Sequence, residues 1–155
     1  MKRKSEPRRF FDDGEQEAIV NAIGAAESKG DGEVRVHVGR GAGDAMESAR
    51  AAFEALGMTA TERRAGVLVF VLLDRHEVAV IGDAGIHAAA PPELWDELVA
   101  DVTAGFRRDE PAAGILTAIE KIGDAFARWV SFAPGDAPDR SLPDDVSFDP
   151  PSGGG

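Results

Sequence analysis

At 155 residues the chain is one domain's worth, long enough to bury a core without covalent staples. It has no cysteine, which excludes disulfides, thiolate zinc sites and cysteine nucleophiles. Its 17 Lys and Arg against 28 Asp and Glu give a net charge of −11, the wrong sign for a nucleic-acid partner and the right one for attracting cations.

The first nine residues, MKRKSEPRR, carry five basic groups and one acid, which leaves −15 on the remainder. No apolar stretch follows them: Phe10-Phe11 runs directly into Asp12-Asp13. They read as a basic, disordered N-terminus (residues 1–9) and not as a signal peptide. The longest apolar run, Val67–Leu73, is far too short to span a bilayer. The expectation is a soluble, cytoplasmic protein with no membrane contact.

Glu15 to Glu27 is predicted helical, with Ile19, Val20, Ile23 and Ala26 on one face and Asp12 or Asp13 as cap. After Ser28–Gly32, Glu33–Val38 alternates: Val34, Val36 and Val38 face one way, Glu33, Arg35 and His37 the other. The glycine-rich stretch Gly39–Gly43 leads to a second predicted helix, Asp44–Leu56, whose stripe is Ala45, Ala49, Ala52, Phe53 and Leu56. Gly66–Leu73 is apolar on both faces, as in a strand covered on both sides. Asp74-Arg75 interrupts it and His76–Ile81 resumes, so these two strands form an antiparallel hairpin, its loop slightly longer than two residues because Asp-Arg is a poor tight turn. Gly82–Gly85 ends the third strand. Pro91-Pro92 opens a helix with Leu94, Leu98, Val102 and Phe106 in one row, and Asp109-Glu-Pro111 opens the last, carrying Ile115, Ile119, Ile122, Phe126 and Trp129. Residues 133–155 hold five Pro, four Gly and five Asp and read as a tail, with Leu142, Val146 and Phe148 able to pin part of it to the body.

The order α–β–α–β–β–α–α implies a three-layer α/β/α sandwich, Rossmann-like, on a small mixed sheet with one βαβ crossover and one hairpin. Residues 10–132 form the domain. With the first two strands parallel and the third antiparallel, Asp31, Glu33 and Asp83 fall at one sheet edge, beside Thr61, Arg63 and Arg64. Asp74 and Asp44 fall at the other. Carboxylates with hydroxyls and carbonyls suit Ca²⁺ or Mg²⁺, so these five acids are the candidate metal ligands, and Thr61, Arg63 and Arg64 are candidate contacts for an anion such as a phosphate. Acids at strand ends are also ordinary turn residues. The stretch Gly39-Arg-Gly-Ala-Gly-Asp44 fails the dinucleotide fingerprint at its sixth position, where an Asp competes with a pyrophosphate for the helix N-terminus. His37, His76 and His87 lack ligand spacing and read as surface or turn residues; Trp95 and Trp129 read as core. No nucleophile elbow, zincin motif or P-loop is present.

Three segments together, Gly32–Val38, Phe53–Ile86, and Glu93-LWDEL with Gly114–Phe126, resemble a TPM domain over about residues 10–148. This family includes thylakoid-lumen photosystem-repair proteins and many bacterial relatives. The chain looks like the bacterial branch without signal peptide or membrane anchor. The resemblance implies an α/β/α sandwich without a nucleotide, divalent-cation binding, mainly calcium, and a weak acid-phosphatase activity. Glu33, Thr61, Gly66, Asp74, Arg75, Gly82, Asp83 and Gly85 match its signature. The functional expectation is therefore a module that binds Ca²⁺ or Mg²⁺ at a sheet edge, with weak phosphatase activity as a by-product. The alternative is a non-catalytic interaction domain that recruits another protein through its C-terminal tail.

Overall fold

The computed structural model describes Pro7 and residues 10–41, 43–132 and 146–149. Helix α1 (Asp13–Glu27) starts in a capping box: Asp12 Oδ1 accepts from Glu15 N at 2.7 Å and Glu15 Oε1 accepts from Asp12 N at 3.0 Å. Strand β1 (Glu33–Gly39) leads to α2 (Ala45–Ala55), which Asp44 caps. Strand β2 (Gly66–Leu72) is buried at every position, as its unbroken apolar run requires. A 3-10 turn, Leu73–Arg75, joins it to β3 (Glu77–Gly82). His76 adopts a left-handed φ of 52° that closes this turn, so β3 begins one residue later than the hydrophobic pattern indicates. Helices α4 (Pro92–Arg107) and α5 (Pro111–Trp129) each have a proline at the first position, where no N–H is needed.

Two elements go beyond the sequence reading. A short helix, α3 (Ala84–Ala89), follows β3 directly where only a turn is expected; Asp83 caps it, Oδ1 accepting from Ala84 N at 2.8 Å. Val146–Phe148 forms a fourth strand, β4. Of residues 1–9 only Pro7 is described, buried with its carbonyl accepting from Phe10 N at 3.2 Å; the rest of that expectation, and most of that for the tail, fall outside the described residues.

The sheet order is β3-β2-β1-β4. β1 is parallel to β2 and to β4, and β3 is antiparallel to β2. This is the mixed α/β/α arrangement with one parallel crossover and one hairpin. Strand parity divides the core. Val34, Val36, Val38, Val67, Val69 and Val71 face α1, α4 and α5, with α5 packed between the other two helices. Leu68, Phe70, Leu72 and Ala79 face the other way, under α2, which lies over β2 and β3. Alanines 45 and 49 let α2 sit close to the sheet. No described helix is long and apolar enough to cross a membrane.

Candidate functional site

Strand order decides which of the candidate acids can meet. β2 lies between β1 and β3, so Glu33 and Asp83 start from chains about 10 Å apart. They share an edge, as the topology argument requires, because Glu33 is paired with Gly66 and Asp83 N donates to Gly66 O at 2.8 Å. They do not form one carboxylate cluster. Glu33 is buried, at 1% exposure, on the α2-side face of β1. Asp31 lies in the preceding loop, its amide donating to the Val130 carbonyl.

Asp83 is committed to structure. Arg64 grips it with two hydrogen bonds, Nε to Oδ2 at 2.6 Å and Nη2 to Oδ1 at 2.9 Å. The Arg64 guanidinium, by hydrogen bond first, holds the Asp83 carboxyl below the usual aspartate range; burial opposes this, and the Ala84 amide adds to it. The same pairing raises Arg64. Arg64 has a positive φ of 52°, a conformation that costs a non-glycine residue free energy unless neighbours hold it. Its carbonyl accepts from Gly85 N at 2.9 Å and Ile86 N at 3.3 Å. A Cβ at Gly85 would run into the carbonyl of Arg63, and one at Gly82 into the indole of Trp95. Thr61 is buried, its Oγ1 accepting from Ala65 N at 3.1 Å, and Arg63 Nη1 donates to Ser131 O at 2.7 Å. Of the residues expected to contact an anion, Arg64 and Thr61 are thus engaged in a joint between the 60s loop, β3 and α3, and Arg63 reaches the chain just after α5. Beside it lies an open hollow of about 350 Å³ between α2 and β3, lined by Arg50, Phe53, Thr59 and Ile81 among others.

At the opposite edge the relevant strands are neighbours. β1 and β2 end side by side, Gly39 opposite Leu72, which brings the loop after β1 onto the turn after β2. Asp74 Oδ2 accepts from Gly41 N at 2.8 Å, and Asp74 Oδ1 lies 3.4 Å from Arg40 Nη2. The side chains of Arg40 and Asp74 are 28% and 37% exposed. Asp44, at the far end of the loop, is exposed and caps α2, Oδ1 accepting from Met46 N at 3.0 Å. The Asp44 side chain thus occupies a donor of that helix N-terminus, the Met46 amide. Ser48, one turn into α2, brings its hydroxyl to 3.9 Å from where a Cβ on Gly41 or Gly43 would stand. This edge is the carboxyl end of three parallel strands, the usual location of ligands in open α/β sheets. Among the described residues, no three His, Asp or Glu side chains converge as a metal cluster.

A further group at this edge is not foreseen from the sequence. His37, expected at the surface, is buried at 6% exposure. Its Nε2 lies 2.6 Å from Asp149 Oδ1 and its Nδ1 2.8 Å from Ser147 Oγ, and its ring stacks on Phe70 at 5.6 Å. Asp149 Oδ2 also accepts from Arg40 N at 2.8 Å. The cause is register: His37 pairs with Ser147 on one side and Phe70 on the other. Nothing in the local sequence signals a contact across 112 positions. His76 is the turn residue expected, and His87 stacks on Trp95 at 5.7 Å.

Comparison with known proteins identifies the fold and the family. Among solved structures, the chain is similar to the BA42 protein of the psychrophilic bacterium Bizionia argentinensis, at 29% identity and a TM-score of 0.83, covering 94% of this chain and all of that one. It also shares its fold with the N-terminal domain of a P. gingivalis protein, at 17% identity and a TM-score of 0.63, covering 74% of this chain and 75% of that one. No curated protein matches. The family model described as the TPM domain matches residues 5–125, and the chain belongs to the TPM domain family.

Proposed function

We propose that this TPM domain binds a divalent cation, Ca²⁺ or Mg²⁺, at the loop edge, with Asp74 as the principal carboxylate. The observation that supports the reading is the half-exposed Asp74 carboxylate set against the loop Gly39–Asp44, where it meets the Arg40 guanidinium only at a long 3.4 Å. In this reading, water and loop carbonyl oxygens complete an oxygen set of the kind hard cations take. With few carboxylates the site is weak, in the range of the low-affinity calcium modules. Phosphate-ester hydrolysis is at most a by-product, because Arg63 and Arg64 are engaged elsewhere. The competing reading, an interaction domain that recruits a partner through its tail, draws no support from residues 146–149, which are spent on the sheet.

Thermal unfolding with rising CaCl₂ or MgCl₂ tests the site. At ten times Kd the native state gains about 1.4 kcal/mol, a Tm rise of about 3–6 °C for a chain of this size. Asp74→Asn is expected to remove the rise. Asp83→Asn is expected to lower Tm and keep the rise. A flat wild-type titration to millimolar metal refutes the reading, and loss of the rise in Asp83→Asn alone moves the site to the other edge.

A further inference from the structure

Arg40 is the residue on which loop, hairpin turn and C-terminal strand converge. Its amide is held by Asp149 Oδ2 at 2.8 Å, and the next amide, that of Gly41, by Asp74 Oδ2 at 2.8 Å. Two consecutive peptide groups are therefore fixed by carboxylates from two different strand ends. Fixing the backbone on both sides limits where the side chain can go, and its Nη2 lies 3.4 Å from the second Asp74 oxygen. The guanidinium thus occupies part of the shell that a cation at Asp74 would need.

We infer that Arg40 is a tethered internal cation that competes with a divalent ion for Asp74 and sets the affinity of the site. The inference rests on the cation reading above. A metal ion arriving at Asp74 must displace the guanidinium or share one carboxylate with it, and like charges at such separations repel. The contact is long and half exposed, so its displacement costs little; pairs of this kind are worth up to about 1 kcal/mol, which is about fivefold in affinity. Arg40 thereby tunes the site downward without closing it.

Calorimetric titration of the full chain with CaCl₂ tests this on four variants, with circular dichroism and Tm confirming that each is folded. Arg40→Gln is expected to bind about fivefold more tightly than wild type. Arg40→Lys, which keeps the charge, stays near wild type. Arg75→Gln controls for net charge: it removes one positive charge next to Asp74, from a side chain that donates to Glu77 Oε1 at 2.9 Å. It is expected to change affinity less than Arg40→Gln. Asp74→Asn is silent. If Arg40→Gln binds no more tightly than wild type while wild type binds and Asp74→Asn does not, the inference fails and the cation reading stands. An equal gain in Arg75→Gln also overturns it, since the effect is then bulk charge. Absence of binding in both wild type and Arg40→Gln removes both readings.

Discussion

Asp83 shows how a signature acid can serve the fold. Its carboxylate joins Arg64 on the 60s loop to the first amide of α3, and it is 6% exposed. Replacing it with alanine removes a charge-assisted pair and a helix cap together, a loss of about 2 kcal/mol, or about 4–8 °C in Tm. Asparagine keeps part of the cap and loses the charge. The pH dependence has a definite sign. Because Arg64 holds the Asp83 carboxyl below its unfolded value, its contribution is complete above pH of about 4 and is lost as pH falls through the lower, folded value. The Tm gap between wild type and Asp83→Asn is therefore expected to be constant from neutral pH to about pH 5 and to close below about pH 4. A gap that stays constant into strong acid would show that the pairing contributes nothing. The sequence marks Asp83 as notable and equally as a turn residue. It could not reveal that Arg64, 19 positions earlier, takes a left-handed backbone to reach it.

At the scale of elements, β4 is the instructive one. It is three residues long, in a tail whose composition alone argues against structure. Side chains compensate for its length. Val146 is buried against the sheet core, Phe148 packs beside it, and Ser147 and Asp149 engage the buried ring of His37. Asp149→Ala strips His37 and the Arg40 amide of an acceptor at once. The expected loss is about 1–3 kcal/mol, read as a lower denaturation midpoint with unchanged slope. Hydrogen exchange should locate it, with protection falling first in 146–149 and the facing half of β1. Unchanged protection there would mean that the strand is held by backbone pairing alone. Helix α3 makes the complementary point. At six residues it is too short for periodicity to register, and its start is set by a cap and two glycines that admit the Trp95 ring and the Arg63 carbonyl. The long elements α1, α4, α5 and β2 were legible because each presents a full apolar face or run.

For the whole molecule, the charge of −11 has two separable consequences. Self-repulsion is generic and is screened by any salt, so raising NaCl to about 0.15 M should raise the Tm of wild type and Asp74→Asn alike. A metal contribution is local and should remain, at matched ionic strength, only where Asp74 is intact. If calcium and sodium act equally at equal ionic strength, the acidic surface explains the whole effect. The sequence by itself determined the layers of this protein, the parallel crossover and the hairpin, since these follow from hydrophobic period and connection length. It also sorted the five candidate acids into two sheet edges. Only the tertiary structure shows which residues meet at each edge, because that depends on strand adjacency. With the order β3-β2-β1-β4, the neighbouring ends of β1 and β2 bring Asp74 onto the Arg40 loop, while β2 keeps Glu33 and Asp83 apart. Adjacency is a property of which strands pair, and no local stretch of the chain encodes it.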